Sequence, residues 1–374
     1  MKKILFLIRS LNVGGAERQL LTLVDSLDKA LYDPVIVMFY PGGTLLPEFE
    51  KRGLRVIAAE KSRRWDIISF LSNLAKIIRA EKPDILVAYL VAANLLALVF
   101  RDIWRVPHVI TSIRHSFLRK EDYDWTASVM YWLEDHLSFR ADRVIVNSFV
   151  GARQAEARGI PASKIVVIPN GIDTDRFSPS ADLRAETRRK LGYSNSDLVV
   201  GMVGRLDPVK DHTTFIKAAE MLVKNHPDLR FVIIGDGSVE YSDRIRSEIS
   251  RAGLNDVFQI LPAERDPVPV YNALDICVSA SIGEGFSNVI AEAMSCEVPC
   301  VVTDVGDSSM IVGETGRVVP AGIPEQMAQA VAELLEMPAG DRTSLGRQAR
   351  QRVQAEFSVV KMVSATTSEF DRLG

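Results

Sequence analysis

Cysteine is scarce in this chain: three residues, Cys277, Cys296 and Cys300, among 374. Three cannot complete a disulfide framework, and no histidine stands beside Cys296 and Cys300 to finish a zinc site. They read as small buried hydrophobes in a reducing compartment. Long apolar runs are missing as well. Residues 85–100 are apolar for 16 positions, short of a bilayer span, and Asn94 interrupts them. A buried strand followed by a buried helix accounts for that run. Residues 4–8, after Lys2 and Lys3, imitate a secretion signal, but Arg9 closes the stretch too early, so it reads as a first strand. No short repeat, low-complexity tract or coiled-coil heptad occurs. The Gly-x-Gly-x-x-Gly fingerprint is also absent, which turns the reading away from a nicotinamide dinucleotide.

What remains is a globular composition, 47% hydrophobic and 25% charged, in a length that suits two domains. Apolar, β-branched runs alternate with helical patterns from end to end. The expected strands are 3–8, 35–39, 54–58, 85–88, 108–113, 144–147 and 165–168, then 198–203, 230–234, 257–261, 276–279, 300–303 and 316–319. This alternation predicts two doubly wound α/β domains with parallel sheets, Rossmann-like in plan. Pro169-Asn170-Gly171 is a strong turn signal and places the boundary, giving domains 1–170 and 171–357. Residues 324–336, 341–357 and 359–373 are expected to be helical. Residues 1–170 hold 24 Lys and Arg against 18 Asp and Glu, and the remainder holds 21 against 30. A basic first half suits an anionic partner or membrane surface, and uneven charge without meaning is the other reading.

Four stretches can carry chemistry. In 281–292, a strand runs into a Gly-rich turn and then a helix, with Gly285, Phe286, Ser287 and Asn288 at the turn. Unpaired N–H groups at such a helix start suit a phosphate. Glu284 precedes the helix, while Asn288, Glu292 and Ser295 fall at helical spacing on one polar stripe. A solvated helix face is the plainer reading of those carboxylates. Gly14 and Gly15 follow the first strand and open a helix, where a missing Cβ lets backbone amides approach a diphosphate. Arg205 ends the first strand of the second half, and Lys210 comes five residues later. Two cations there can stabilise charge on a departing diphosphate without a metal, against the alternative of a solvated basic turn. His115 ends a strand of the first half, and could be catalytic or simply a loop histidine. His108, His136, His212 and His226 read as structural. Gly235-Asp236-Gly237 and the loops at 303–306 and 313–316 read as turns.

The Gly-Gly-Ala-Glu turn, the Arg205/Lys210 pair, Glu284 and Glu292 with seven residues between them, and Pro-Asn-Gly-Ile-Asp occur in one order. Together they resemble the retaining family-4 glycosyltransferases of bacterial polysaccharide synthesis. The resemblance implies a GT-B fold, two domains facing across a cleft, with 358–374 packing back on the first. It implies a hexose or N-acetylhexosamine moved from a nucleotide-diphosphate sugar, UDP-linked by family habit, to a glycan or lipid-linked acceptor. Glu292 would then hold ribose, Glu284 would face the hexose, Arg205 and Lys210 would bind the phosphates, and His115 would touch the donor sugar. No cofactor, metal or nucleic-acid partner is implied. The expected setting is cytoplasmic, with peripheral contact at the inner membrane face through the first domain, where Trp125, Tyr131 and Trp132 are either exposed or buried in a helix core. Ala291 and Glu297 stand where close relatives often have glycine, and Glu297 costs a helix C-cap. A nucleotide-sugar epimerase or hydrolase on the same scaffold is the alternative enzyme, and a non-catalytic nucleotide-sugar binder the alternative from another class.

Overall fold

A computed structural model describes residues 1–12, 14–61, 66–114, 125–194, 196–264 and 266–373, with the backbone alone for Trp125. The chain divides into two compact units, Met1–Gly171 with Val359–Gly374, and Ile172–Ser358.

The first unit runs β1 (Lys2–Ile8), α1 (Gly15–Asp25), β2 (Tyr32–Met38), α2 (Leu46–Lys51), β3 (Arg55–Ala58), α3 (Ile67–Glu81), β4 (Ile85–Tyr89), α4 (Leu90–Trp104), β5 (His108–Ile113), α5 (Trp125–Leu137), β6 (Arg143–Val146), α6 (Phe149–Ala157) and β7 (Ile165–Val167). Its sheet has the order β3-β2-β1-β4-β5-β6-β7, and the pairs are parallel. Ile4 to Ile8 are wholly buried, as a central strand covered by helices on both faces requires. One core, around Phe6, Leu20, Val24 and Ile36, lies on one face; the other, around Leu5, Leu7, Leu74 and Leu98, lies on the opposite face.

The second unit runs α7 (Ala181–Leu191), β8 (Leu198–Val203), α8 (His212–Leu222), β9 (Leu229–Ile234), α9 (Val239–Arg251), β10 (Phe258–Leu261), α10 (Val268–Ala273), β11 (Ile276–Ser279), α11 (Asn288–Ser295), β12 (Cys300–Thr303), α12 (Ser308–Val312), β13 (Arg317–Val319), α13 (Pro324–Glu336) and α14 (Ala339–Glu356). The sheet order is β10-β9-β8-β11-β12-β13, again parallel. All 13 strands of the sequence reading are present, with ends shifted by three residues at most. The three cysteines are free and buried; Cys277 and Cys300 are register partners on β11 and β12.

The last helix, α15 (Val359–Leu373), belongs to the first unit. Its Phe370 is fully buried, edge-on to Phe6 at 6.4 Å and to Tyr32 at 5.9 Å. Burying one such ring is worth about 1.5–3 kcal/mol. Arg143 reaches the buried Glu369 at 2.9 Å, and Tyr32 donates to Asp371 at 2.9 Å. Apolar packing and these polar ties together fix the helix to the sheet.

Candidate functional site

In the second unit the strand sequence order reverses between β8 and β11, so the loops after those strands diverge from one point at the sheet's carboxyl edge. Open α/β sheets hold ligands at such a point. The β8 loop is Gly204–Asp211, and the β11 loop leads through Glu284 into α11. The Ile282 N–H donates to the Val209 carbonyl at 2.8 Å, so the two loops are tied by backbone.

Each loop is also braced from outside. The Leu206 N–H donates to the Asp236 carbonyl at 2.9 Å, and a Cβ on Gly235 would lie 1.8 Å from the Gly204 carbonyl oxygen. Only glycine permits that approach. On the other side Gly306 has φ +57°, and a Cβ there would meet the Glu284 carbonyl oxygen at 2.4 Å. The glycines of Gly-Asp-Gly and Asp-Val-Gly thus seat the loops that carry Arg205 and Glu284. Thr303, buried at the end of β12, donates to the Ser281 carbonyl at 2.6 Å.

On this frame the Lys210 ammonium pairs with Glu284, and the Ser281 hydroxyl donates to the same carboxylate oxygen at 2.7 Å. The Lys210 side chain is 19% exposed and that of Glu284 11%, so the pair is largely desolvated and each charge depends on the other. Arg205 differs: its side chain is 79% exposed, 3.6 Å from Asp207. It is a long, solvent-exposed cation at the rim. One turn into α11, Glu292 accepts from the hydroxyl of fully buried Tyr271 at 2.7 Å. Burial first and the Glu292 charge second push that phenol well above its ordinary range, so it stays a donor and holds the carboxylate. Ser287 precedes α11 and makes no side-chain cap hydrogen bond.

In the first unit the order reverses between β1 and β4. Gly14 is the extended N-cap of α1, with no side-chain cap, and Gly15 is the first helical residue. A Cβ on Gly14 would lie 2.2 Å from the Glu17 carboxylate, which folds back over the helix start. Burial raises the pKa of Glu17, and a hydrogen bond from its own N–H lowers it. The Glu17 carboxylate thus lies beside the Gly14-Gly15 turn that the sequence marks as an anion cradle.

Known proteins bear on this arrangement. A sequence profile described as Glycosyltransferase Family 4 matches residues 13–176, and one described as Glycosyl transferases group 1 matches residues 197–337. A D-inositol 3-phosphate glycosyltransferase of Corynebacterium glutamicum is 30% identical over 295 residues, 72% of this chain and 68% of the relative. The enzyme of the same name from Nocardia farcinica is 31% identical over 262 residues, 66% of this chain, but the match spans only 56% of that relative's length. The chain belongs to glycosyltransferase family 4. The crystal structure of Anabaena HepE in complex with UDP superposes with a TM-score of 0.88 at 22% identity, covering 100% of both chains, which shows the shared GT-B fold.

Against the family-4 pattern, the structure brings Lys210 and Glu284 into contact and sets Glu292 one turn beyond, with Gly285 in the turn between. Phe286 stands apart. Its ring is 6% exposed and packs edge-on to Phe357 at 5.4 Å, so only its backbone is left to face a ligand. The polar stripe is also shorter than its spacing predicts. Ser295 is fully buried and donates to the Phe177 carbonyl at 2.6 Å, while Asn288 and Glu292 are half-buried. His115 lies outside the described residues. Sequence reasoning missed Ser281, Tyr271 and Thr303, all of which fix a site carboxylate or its loop. Ser281 was the one with a signal, three residues ahead of Glu284 at a strand end. Among the described residues no group of three or more His, Cys, Asp or Glu could hold a metal ion, and no helix is long and apolar enough to cross a membrane.

Proposed function

We propose that this protein is a retaining glycosyltransferase that moves a hexose or N-acetylhexosamine from a UDP-linked sugar to a glycan or lipid-linked acceptor. The observation that carries the reading is the desolvated Lys210–Glu284 pair at the β8/β11 reversal, at the turn that leads into α11. A sugar nucleotide brings a diphosphate, a ribose and a sugar, and the site offers a partner for each. Lys210, Arg205 and the α11 N–H groups meet the diphosphate; Glu292, aimed by Tyr271, accepts from the ribose hydroxyls; Glu284 faces the sugar. HepE was crystallised with UDP-glucose, which supports a UDP donor here.

Retention by double displacement needs two carboxylates about 5–5.5 Å apart across the anomeric carbon. With Glu292 engaged by ribose, Glu284 alone stays near the sugar. Same-face attack follows, in which the glycosyl–phosphate bond breaks, the acceptor oxygen bonds the anomeric carbon from the same side, and the leaving phosphate oxygen takes the acceptor proton. The cations stabilise that oxygen as charge develops on it. No metal enters these steps. His115 joins the proposal through the family resemblance, at the donor sugar.

The test is UDP release from UDP-sugars with and without an acceptor panel, with the product anomer read by NMR. Acceptor-dependent release with retained configuration, and turnover lowered in both Arg205→Ala and Lys210→Ala, is expected. Unchanged turnover in both variants would refute the phosphate assignment, an adduct trapped on Glu284 would replace same-face attack, and a new nucleotide sugar formed without acceptor would make the protein an epimerase.

A second reading, of location, rests on the first unit. Val99 and Ile103 on α4 and Val129, Trp132 and Leu133 on α5 are exposed, Trp132 by 57%, and the two helices pack side by side. The burial alternative thus fails for Trp132. An apolar strip on a unit with excess basic residues fits an anionic bilayer surface. Cosedimentation with vesicles containing phosphatidylglycerol, lost in Trp132→Ser with Leu133→Ser, tests it; equal binding to neutral vesicles would remove the charge argument.

A further inference from the structure

At the amino edge of the first unit's sheet, opposite the edge where α/β sheets usually hold ligands, the last turns of α3 and α4 border a cavity of about 820 Å³. That volume is in the range of small-molecule sites. Its floor is apolar. Ile78 and Trp104 are buried, and Trp104 stacks on Phe100 with ring centroids 5.3 Å apart. Arg79, Lys82 and Arg105 also line the cavity, all three exposed. None of the three side chains has an ion pair, a hydrogen bond or a ring contact among the described residues. Arg52, Arg55, Arg101 and Arg143 of the same unit each face a carboxylate. The two carboxylates on the cavity wall are already engaged: Asp84 accepts from the Lys3 N–H at 2.7 Å, and Asp102 pairs with Arg140.

The way α3 and α4 end is a second observation. Each stops at a left-handed residue, Lys82 with φ +49° and Arg105 with φ +55°. The Lys82 N–H closes on the Ile78 carbonyl at 2.9 Å, and the Arg105 N–H on the Asp102 carbonyl at 3.2 Å. Glycine takes that conformation without strain and is the usual residue there. The chain keeps a cation at both positions, and both line the same cavity. The negative end of a helix dipole favours either cation, but it offsets only part of the strain and does not explain Arg79, one turn earlier. Strain that a glycine would relieve persists most often at ligand sites. Three unpaired cations over an apolar floor suit an anion with several acceptor oxygens, which a phosphate supplies.

We propose that this cavity is a second anion site and takes a phosphate group. The proposal goes beyond the glycosyl-transfer reading and does not depend on it. Ile103, at the cavity rim and 58% exposed, joins the cavity to the apolar strip of α4 and α5, so the phosphate has two sources: a soluble ester, or the head of an anionic phospholipid. The experiment is isothermal titration of the full chain, saturated with UDP, with inorganic pyrophosphate at constant ionic strength. Beside it runs cosedimentation with vesicles of phosphatidylglycerol and of phosphatidylcholine. Both use the parent protein, Arg79→Gln, and the double variant Lys82→Gly with Arg105→Gly. Glycine suits both left-handed positions, so the double variant removes two charges and leaves the helix ends in place. For a soluble ester, the double variant binds pyrophosphate about 10-fold or more weakly than the parent and Arg79→Gln about 3-fold or more weakly, with UDP affinity the same in all three. For a lipid head, the parent prefers phosphatidylglycerol to phosphatidylcholine vesicles by about 10-fold or more, and the double variant by about 2-fold or less. Either result supports the site and names its source. If the parent shows neither pyrophosphate binding nor a vesicle preference, or the double variant keeps in full whatever the parent shows, the proposal is overturned. Should the double variant fail to melt cooperatively, Arg79→Gln decides in the same way, since glutamine is a good helix former at that exposed position. If UDP does not bind, the donor assignment fails, while the difference between parent and variants still decides the role of the cavity.

Discussion

The two units share one plan and fill it differently. Each has a parallel sheet with a single reversal of strand order, and in each the polar groups of interest gather at the carboxyl ends of strands beside that reversal. In the second unit the carboxylates there are already engaged, Glu284 by the Lys210 ammonium and Glu292 by the neutral Tyr271 hydroxyl. In the first the Glu17 carboxylate folds back over the start of α1, and the Arg114 guanidinium, just after β5, bonds the neutral side chains of Ser112 and Asn170 among the described residues. Topology decides where a site can be; the side chains decide whether it arrives neutralised or waiting. A neutralised site must exchange a partner when a substrate enters, and an unneutralised one need not.

The largest expected effect tests whether Lys210 and Glu284 act as one group. Lys210→Met and Glu284→Gln should each lower kcat about 100- to 1000-fold, the range for losing one preorganised charge at a reacting centre. The double variant should be little worse than the poorer single one, since residues acting as a unit are not additive. Steady-state kinetics with a UDP-sugar supplies the cycle. Multiplying effects would mean that the contact does not matter to turnover, and the contrast with Arg114 would lose its meaning.

Next comes a contrast in acid response. His212 in the second unit is fully buried, 3.3 Å from the Tyr241 hydroxyl, and its Nε2 has no partner among the described residues. Burial first, and the Lys210 charge second, lower its pKa to about 4. The unfolded state therefore binds the proton first as pH falls. The stability tied to neutral His212 is present above about 6.5 and is lost as pH drops toward 4, by roughly 3 kcal/mol. In the first unit Glu134 is 2% exposed, one of its oxygens has no partner among the described residues, and burial raises its pKa to about 7. Its sign is opposite: the protonated form is the stable one, its contribution is present below about 4.5 and is lost as pH rises through 7. Urea unfolding between pH 4 and 8 should show His212→Phe flattening the acid side and Glu134→Gln the neutral side. Parallel curves for either variant would remove that group from the account.

A smaller effect concerns the place where the chain leaves the first unit. A Cβ on Gly171 would sit 2.9 Å from the Val359 Cα and 3.0 Å from Met362, both on or beginning α15. Gly171→Ala should cost about 1–3 kcal/mol by overpacking, read as a lower urea midpoint. An unchanged midpoint would mean that α15 yields, contrary to its buried anchors Met362 and Phe370.

Most of this architecture could be read from the chain, because a parallel sheet covered on both faces leaves an unmistakable pattern of β-branched runs between helical periods. The candidate residues were picked out where chemistry falls near a strand end, at Gly14, Arg205, Lys210 and Glu284, or on the helix that follows, at Glu292. Reasoning along the chain failed where the contact is far in sequence. Nothing near Ser295 announces the Phe177 carbonyl, and nothing near Phe286 announces the Phe357 ring. Arg114 looked ordinary beside His115, since a missing counter-ion is a property of three dimensions. Gly235 and Gly306 read as plain turns, although what they permit is the approach of another loop's backbone.

The smallest effect returns to helix ends. α3 and α4 of the first unit finish at Lys82 (φ +49°) and Arg105 (φ +55°), non-glycine residues in the left-handed region. Each is a cation at the negative end of a helix dipole, worth about 0.3–1 kcal/mol, which offsets part of the strain. α11 of the second unit ends differently. The Glu297 N–H bonds the Met294 carbonyl at 3.0 Å and the Val298 N–H bonds the Ala293 carbonyl at 3.0 Å, the paired closure in which glycine is preferred at the left-handed position. Glu297 has φ +62° and adds a negative charge where the dipole is already negative. Glu297→Gly should therefore stabilise the protein by about 0.5–1 kcal/mol, after the greater entropy of an unfolded glycine is counted. Lys82→Gly and Arg105→Gly should give less or nothing, because the lost dipole interaction opposes the relieved strain. Differential scanning calorimetry of the three variants ranks them directly. If all three gain equally, the helix dipole has no part in setting these ends and backbone strain alone separates them from glycine.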